Sequence, residues 1–145
     1  MYAFDFSGDA NDIAHINIEK NGLSDKIKTV EGDVHALPFE SNFADFIVSR
    51  GSMFFWDNPK SAFKKINRIL KPGGNTYIAG GFENKELRDD IVNRMIIKDP
   101  KWEEKYKINM SEEKGEIFRE AITGLDDSEA EIIDNDSGFW IVIKK

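Results

Sequence analysis

The chain has 145 residues, enough for one domain with one buried core, and we expect residues 1–145 to form a single domain. Its 27 acidic and 20 basic side chains give a net charge of -7, which disfavours a nucleic-acid partner because phosphate backbones are held by clustered Lys and Arg. With no cysteine, two histidines and no apolar run of about 18 residues, the composition excludes disulfides, predicts no metal site and favours a cytoplasmic protein without a membrane partner.

The first half of the chain alternates strands and helices. Apolar periodicity and turn residues predict, in chain order, a strand at 2–6, a helix at 9–21, strands at 27–31 and 43–49, a helix at 59–70 and a strand at 76–79. The strand at 43–49 is apolar nearly throughout, which is typical of a parallel strand covered on both faces, so we expect it to be central. The alternation predicts right-handed crossovers, a mostly parallel sheet and helices on both of its faces.

The last third of the chain has a different pattern. One helix is expected to end at Pro100, and Ser111 is expected to begin another. Two strands at 130–133 and 139–143 are separated only by the turn-forming residues 134–138. So short a connection joins antiparallel strands, and the predicted fold class is therefore α/β, Rossmann-like, with a C-terminal antiparallel hairpin.

Two acidic residues come at the predicted carboxyl ends of neighbouring strands, the edge at which open α/β sheets bind ligands. Asp5 can accept both hydroxyls of a ribose, or it can serve as a turn residue beside Ser7. Asp33 can accept an adenine amino group while the backbone N–H of Val34 donates to the ring, or it can form a Gly-Asp turn without a ligand. Together the two acids favour a nucleoside that spans both strand ends.

Ordered motifs in about residues 2–82 resemble those of class I S-adenosylmethionine-dependent methyltransferases, especially the small-molecule group that includes the ubiquinone and menaquinone biosynthesis enzymes. The motifs are YAFDFS with Asp5, EGDVHALPF with Asp33, FADFIVSRGSMFFW, and ILKPGG followed by NTYIAGGF. The hairpin segments DSEAEIIDND and GFWIVIKK agree with the antiparallel final strand of that family. The resemblance implies an enzyme that uses S-adenosyl-L-methionine as its cofactor.

The resemblance also implies roles for individual residues at the cofactor. Asp5 would bind the ribose hydroxyls, and Phe6 would lie against the adenine unless it belongs to the core. Asp33 would accept the adenine amino group, and Val34 would contact the ring. Ser49 would line the methionine end of the cofactor and the acceptor side.

Two further residues are implied on the acceptor side, Arg50 and Trp56. Arg50 would hold an acidic substrate or the cofactor carboxylate through its planar donor fork, or it would form a surface or structural ion pair. Trp56 would wall the acceptor pocket, whereas Phe54 and Phe55 are expected to pack in the core. The sulfonium leaving group is already activated, so alignment and exclusion of water suffice, and no catalytic residue is assigned.

The family's first motif, an apolar strand that leads into a glycine-rich turn, has no counterpart here. In the usual strand order the missing strand lies between the strands at 2–6 and 43–49. We expect the chain to be an N-terminally incomplete domain, or the gap to be closed by another chain, or the two inner strands to pair directly. Unpaired inner strands favour self-association or a complementing chain. The predicted function is methyl transfer to a small-molecule acceptor; the alternative is a non-catalytic remnant that binds a nucleoside or a partner chain.

Overall fold

A computed structural model describes residues 1–82, 84–136 and 138–145 of the chain. Ser137, in the predicted hairpin loop, lies outside these residues. The chain divides into two compact units, Met1–Phe39 and Glu40–Lys145. A single domain over 1–145 stays a prediction.

The N-terminal unit is a strand–helix–strand element with two parallel strands. Its elements are β1 (Tyr2–Asp5), α1 (Gly8–Lys20), β2 (Lys28–Glu31) and a short 3₁₀ helix (Val34–Ala36). The strands are paired from Tyr2 beside Lys28 to Asp5 beside Glu31. Helix α1 begins one residue before its predicted start, and the Ser7 hydroxyl accepts from the Ala10 N–H and so caps the helix as expected.

Close aromatic packing fixes the turn after β2. The Phe4 ring packs edge-on against Phe39, with ring centroids 6.0 Å apart. A Cβ at Gly32 would lie only 2.9 Å from Phe4 Cε2, so a larger residue there would displace the Phe4 ring. The backbone that carries Asp33 is therefore held against the small core of this unit.

The C-terminal unit is built on a four-stranded mixed sheet in the order β3-β4-β6-β5. Its elements are β3 (Ala44–Arg50), a 3₁₀ helix (Met53–Phe55), α2 (Pro59–Ile69), β4 (Leu70–Gly81), α3 (Lys85–Lys98), α4 (Trp102–Asn109), α5 (Glu112–Ala121), β5 (Glu129–Asn135) and β6 (Gly138–Lys144). Strands β3 and β4 are parallel, whereas β6 is antiparallel to both β4 and β5. The predicted α/β fold class and its C-terminal antiparallel hairpin are confirmed.

The core of this unit lies between α2 and the centre of the sheet. Phe63 and Ile66 of α2 are buried, as are Ile78 of β4 and Ile141 and Ile143 of β6. Burying a side chain of this size contributes about 1.5–3 kcal/mol, so this layer supplies much of the stabilisation of the unit. The structure thus bears out the amphipathic pattern that predicted α2.

Two expectations about the strands need correction. Strand β3 is not central, because among the described strands it pairs only with β4, and its Phe46 and Val48 side chains are 58% and 63% exposed. Strand β4 begins at Leu70, directly after α2, instead of at Thr76.

None of the helices in the described part of the chain combines the length and hydropathy that a membrane crossing requires.

Candidate functional site

In the N-terminal unit, Asp5 and Asp33 lie at the carboxyl edge of the parallel strand pair. Asp5 is the last residue of β1 and is paired with Glu31, the last residue of β2. The Gly32 N–H donates to the Asp5 carbonyl over 3.0 Å, and Asp33 follows immediately. The structure therefore confirms that the two acids come at the ends of neighbouring parallel strands.

The Asp5 carboxylate forms part of a well-ordered turn. Its Oδ1 accepts from the Ser7 N–H at 2.9 Å. Buried Asn11 donates from Nδ2 to the carbonyls of both Asp5 and Ser7, each at 3.0 Å. The turn role considered for Asp5 is thus present. It does not preclude a ligand, because the residue is exposed and a carboxylate has about four lone-pair sites.

The Asp33 carboxylate caps the 3₁₀ helix and is bound by its neighbour His35. Asp33 Oδ1 accepts from the His35 N–H at 2.8 Å, and His35 Nδ1 lies 2.6 Å from the same oxygen. The backbone hydrogen bond from His35, followed by the side-chain hydrogen bond, lowers the pKa of Asp33 below its ordinary value. Asp33 is therefore a hydrogen-bond acceptor at neutral pH, with the half-buried Val34 beside it.

Phe6 lies outside the core. Its side chain directly follows β1 and is 77% exposed, so the interpretation of Phe6 as a core residue is wrong.

Among the described residues there is no group of three or more His, Asp or Glu that could hold a metal ion.

At the corresponding edge of the C-terminal unit, Ser49 and Arg50 end β3. Arg50 Nε donates to the Gly81 carbonyl at 3.1 Å, and its guanidinium carbon lies 5.6 Å from the centroid of the Phe82 ring. The Ser49 hydroxyl forms a hydrogen bond with the Ser52 hydroxyl. Within the described residues, Arg50 is thus held by a carbonyl and a ring, and the ion pair considered for it is not present.

The three aromatic residues after β3 have different surroundings. Phe54 packs against the backbone of Gly80 and edge-on against Phe118, with centroids 5.9 Å apart, as expected for a packing residue. Phe55 is 81% exposed, so its expected packing is wrong; it is the last residue of the 3₁₀ helix and points to solvent. Trp56 packs edge-on against buried Phe63 at 5.3 Å, and its role at a substrate pocket stays a prediction.

A cavity of about 360 Å³ in the C-terminal unit was not predicted from the sequence. Its apolar lining consists of Phe54, Met110, Gly115, Phe118 and Phe139. These residues come from four separate segments, and the periodicity of each segment indicates only that its apolar side chains are buried. A glycine inside the otherwise helical α5 pattern is the one local sign of open space.

The profile of the family described as "Methyltransferase domain" matches residues 1–78, more than half of the 145-residue chain. Among solved structures, a protein from Methanococcus maripaludis assigned to the S-adenosyl-L-methionine-dependent methyltransferases is 52% identical, with a TM-score of 0.92 over 99% of this chain and 66% of that chain.

Two curated relatives methylate quinone-type compounds according to their names. The chloroplastic 2-methyl-6-phytyl-1,4-hydroquinone methyltransferase of Arabidopsis thaliana is 42% identical over 53 residues, which is 37% of this chain and 16% of that protein. Demethylmenaquinone methyltransferase of Staphylococcus aureus is 34% identical over 70 residues, 48% of this chain and 28% of that protein.

The chain spans less than two thirds of the length of each of these three proteins. The family profile and the Methanococcus structure nevertheless confirm the resemblance that the motifs carry. The chain belongs to the methyltransferase domain family, a family of enzymes, in the class I group whose cofactor is S-adenosyl-L-methionine.

Proposed function

We propose that this chain binds S-adenosyl-L-methionine and takes part in transfer of its methyl group to a small-molecule acceptor. The observation that carries the proposal is the pair of exposed carboxylates, Asp5 and Asp33, at the ends of two adjacent parallel strands. A nucleoside offers ribose hydroxyls and an adenine amino group, and both are donors that ionised carboxylates accept.

The other residues near these acids support the same ligand. Phe6 offers an exposed ring face against which adenine can stack. Val34 begins the 3₁₀ helix that Asp33 caps, and its N–H would donate to the adenine ring. The donors and acceptors present here therefore suit an adenosine group, with Asp5 on the ribose and Asp33 on the base.

In the C-terminal unit we assign Ser49 and Arg50 to the methionine end of the cofactor, and Arg50 and Trp56 to the acceptor side. Arg50 uses Nε to hold the Gly81 carbonyl, and a guanidinium has five N–H donors in all. The backbone anchor would orient the remaining donors for a carboxylate.

The cofactor supplies a methyl group on a sulfonium leaving group, so the chain's own residues need to bind, orient and exclude water. We assign no general base. The small-molecule acceptor is supported by the relatives named for hydroquinone and demethylmenaquinone methylation.

The first test is calorimetric titration of the chain with S-adenosylhomocysteine. Asp5→Asn and Asp33→Asn should each weaken binding by about ten- to a hundred-fold, because a hydrogen bond to a charged group is worth about 1.5–3 kcal/mol. Asp25→Asn, an exposed acid in the turn before β2, is the matched control and should bind like the wild type. Equal affinity in all four proteins would overturn the assignment of the two acids.

A methyl-transfer assay with a soluble hydroquinone, read as release of S-adenosylhomocysteine, separates the enzyme from the alternative of a non-catalytic nucleoside-binding remnant. If the chain is an enzyme, release of S-adenosylhomocysteine should depend on the presence of the hydroquinone. Nucleoside binding without release would favour the remnant.

A further inference from the structure

We infer that the cavity of the C-terminal unit is the acceptor site and that it selects apolar ring compounds without a negative charge. This inference rests on the proposed methyl transfer and adds the substrate class.

The cavity lies at the carboxyl edge of β3 and β4. Phe54, in its lining, belongs to the 3₁₀ helix that follows β3 and packs on Gly80 near the end of β4. Phe139, also in the lining, is paired with Gly80 at the start of β6. Ligands of open α/β sheets bind at this edge, and a volume of about 360 Å³ is sufficient for a small ring compound.

Three aromatic rings, packed one against the next, form the apolar wall of the cavity. Phe54 and Phe118 have centroids 5.9 Å apart, and Phe118 and Phe139 have centroids 6.0 Å apart. Offset and edge-on arrangements at these distances also suit a further ring from a ligand. The wall therefore favours a planar apolar acceptor.

Gly115 keeps the cavity open. A Cβ there would lie 3.7 Å from Phe139 Cε2, an ordinary contact, so alanine would fit without strain. Glycine within a helix is less stable than alanine by about 1 kcal/mol, and at this position it leaves the space in front of the aromatic wall unfilled.

The charged side chains of the lining are predominantly acidic. They comprise three carboxylates, Glu112, Glu116 and Asp134, and one guanidinium, that of Arg119. Arg119 is already paired with Glu116 at 3.2 Å and Asp134 at 3.3 Å, and it lies over the Phe139 ring. An anionic ligand would therefore face an excess of negative charge.

The amino end of α5 does not reverse this preference. A helix N-terminus attracts anions through its partial positive charge. Here, the Ser111 hydroxyl already accepts from the Lys114 N–H, and Glu112 and Glu113 occupy the first turn. These acids offset the positive end of the helix dipole, and carboxylates still outnumber cationic groups in the cavity lining.

Arg50 does not belong to the cavity lining within the described residues. The cavity thus lacks an available cation for a carboxylate substrate. Of the two roles implied for Arg50, the charge of the cavity favours the cofactor carboxylate over an acidic substrate.

The test uses three probes with the same phenyl ring: cationic phenethylamine, neutral 3-phenylpropanamide and anionic 3-phenylpropionate. Calorimetry on the chain should show that the anion binds about tenfold or more weakly than the cation at low salt, with a smaller difference at high salt. In ¹³C-methyl spectra the signal of Met110, which lines the cavity, should shift, whereas buried Met53 should not.

Three variants test whether the probes bind in the cavity. Gly115→Leu should abolish binding of all three probes without loss of the fold, because leucine is a better helix former than glycine. Glu120→Leu, on the exposed side of the same helix, is the control and should bind like the wild type. The double variant Glu116→Gln and Asp134→Asn should bring the affinities for the cation and the anion closer together.

Equal affinity for the cation and the anion, or unchanged binding in Gly115→Leu, would overturn the inference. S-adenosylhomocysteine affinity is measured on the same samples. If S-adenosylhomocysteine binds but the cation does not bind more tightly than the anion, only the inference about the cavity fails. If the cavity prefers the cation but S-adenosylhomocysteine does not bind, the proposed function fails.

Discussion

Asp33 shows how two residues in one turn set the chemistry of a carboxylate. The His35 backbone and side chain both donate to Asp33, which lowers its pKa. Because the charged form is favoured in the folded protein, the stabilisation from this interaction is present above the ordinary pKa of aspartate and is lost as the pH falls through the lowered value. Binding of an amino group at Asp33 should therefore persist at mildly acidic pH.

The contribution of the imidazole can be separated from that of the backbone. His35→Ala should raise the pKa of Asp33 only part of the way to its ordinary value, because the largest cause of the shift is the backbone N–H, which alanine retains. Carboxyl ¹³C NMR titration of wild type and variant would measure this. His15→Ala, which removes the exposed imidazole of α1, is the control; an Asp33 pKa that moves equally in both variants would contradict the assignment.

Asn11 is a residue at the carboxyl end of β1 that sequence reasoning missed. Its Nδ2 holds the carbonyls of Asp5 and Ser7, so it positions the strand-to-helix turn. Asp5 and Asp33 were predictable because their placement depends only on where a strand ends. The role of Asn11 was not, since an asparagine in the first turns of an exposed helix carries no local sign of burial. The sequence left the exposure of Phe6 open, because an aromatic after an apolar strand is ordinarily buried whereas the family resemblance implies an accessible ring.

The β4–β6 pair depends on a side chain as well as on its backbone ladder. Thr76 is fully buried, and its Oγ1 accepts from the Ile143 N–H at 2.9 Å. Thr76→Val preserves shape but leaves this N–H without its partner, and it should lower the free energy of unfolding by about 1–3 kcal/mol. Chemical denaturation would measure the change. Thr29→Val in β2 is the control, and an equal loss there would contradict a specific role for Thr76.

Elements with a strong local pattern were predicted well, whereas their junctions were not. Helix α2 was predictable from its single apolar face and its Asn58–Pro59 start. Strand β4 begins six residues before its predicted start because Leu70 pairs with Ala44 of β3. The register then shifts, and pairing resumes between Asn75 and Phe46, so the Lys71–Gly74 segment, which contains a proline and glycines, lies between these two pairs. Helix α4 was missed because its eight residues, Trp102–Asn109, present no continuous apolar face and none of them is buried.

Long-range contacts explain why the cavity and the position of β3 could not be predicted. The cavity requires Phe54, Phe118 and Phe139 to meet, although they are far apart in the chain. The apolar composition of β3 indicates that both faces suit burial, but composition does not show which residues provide the cover. The structure leaves Phe46 and Val48 exposed, and in the described residues β3 has a strand partner on one side only.

The exposed apolar face of β3 favours self-association of the chain. Phe46 and Val48 share one face of β3, and the Phe46 ring lies 6.2 Å from that of Tyr77 on β4. Unpaired strand edges with apolar side chains associate, so two copies of the chain should pair through β3. Phe46→Lys with Val48→Lys should shift the chain toward monomer in light scattering. Phe55→Lys, which removes an even more exposed aromatic outside the sheet, should not. A monomeric wild type, or equal effects of both variants, would contradict association through β3.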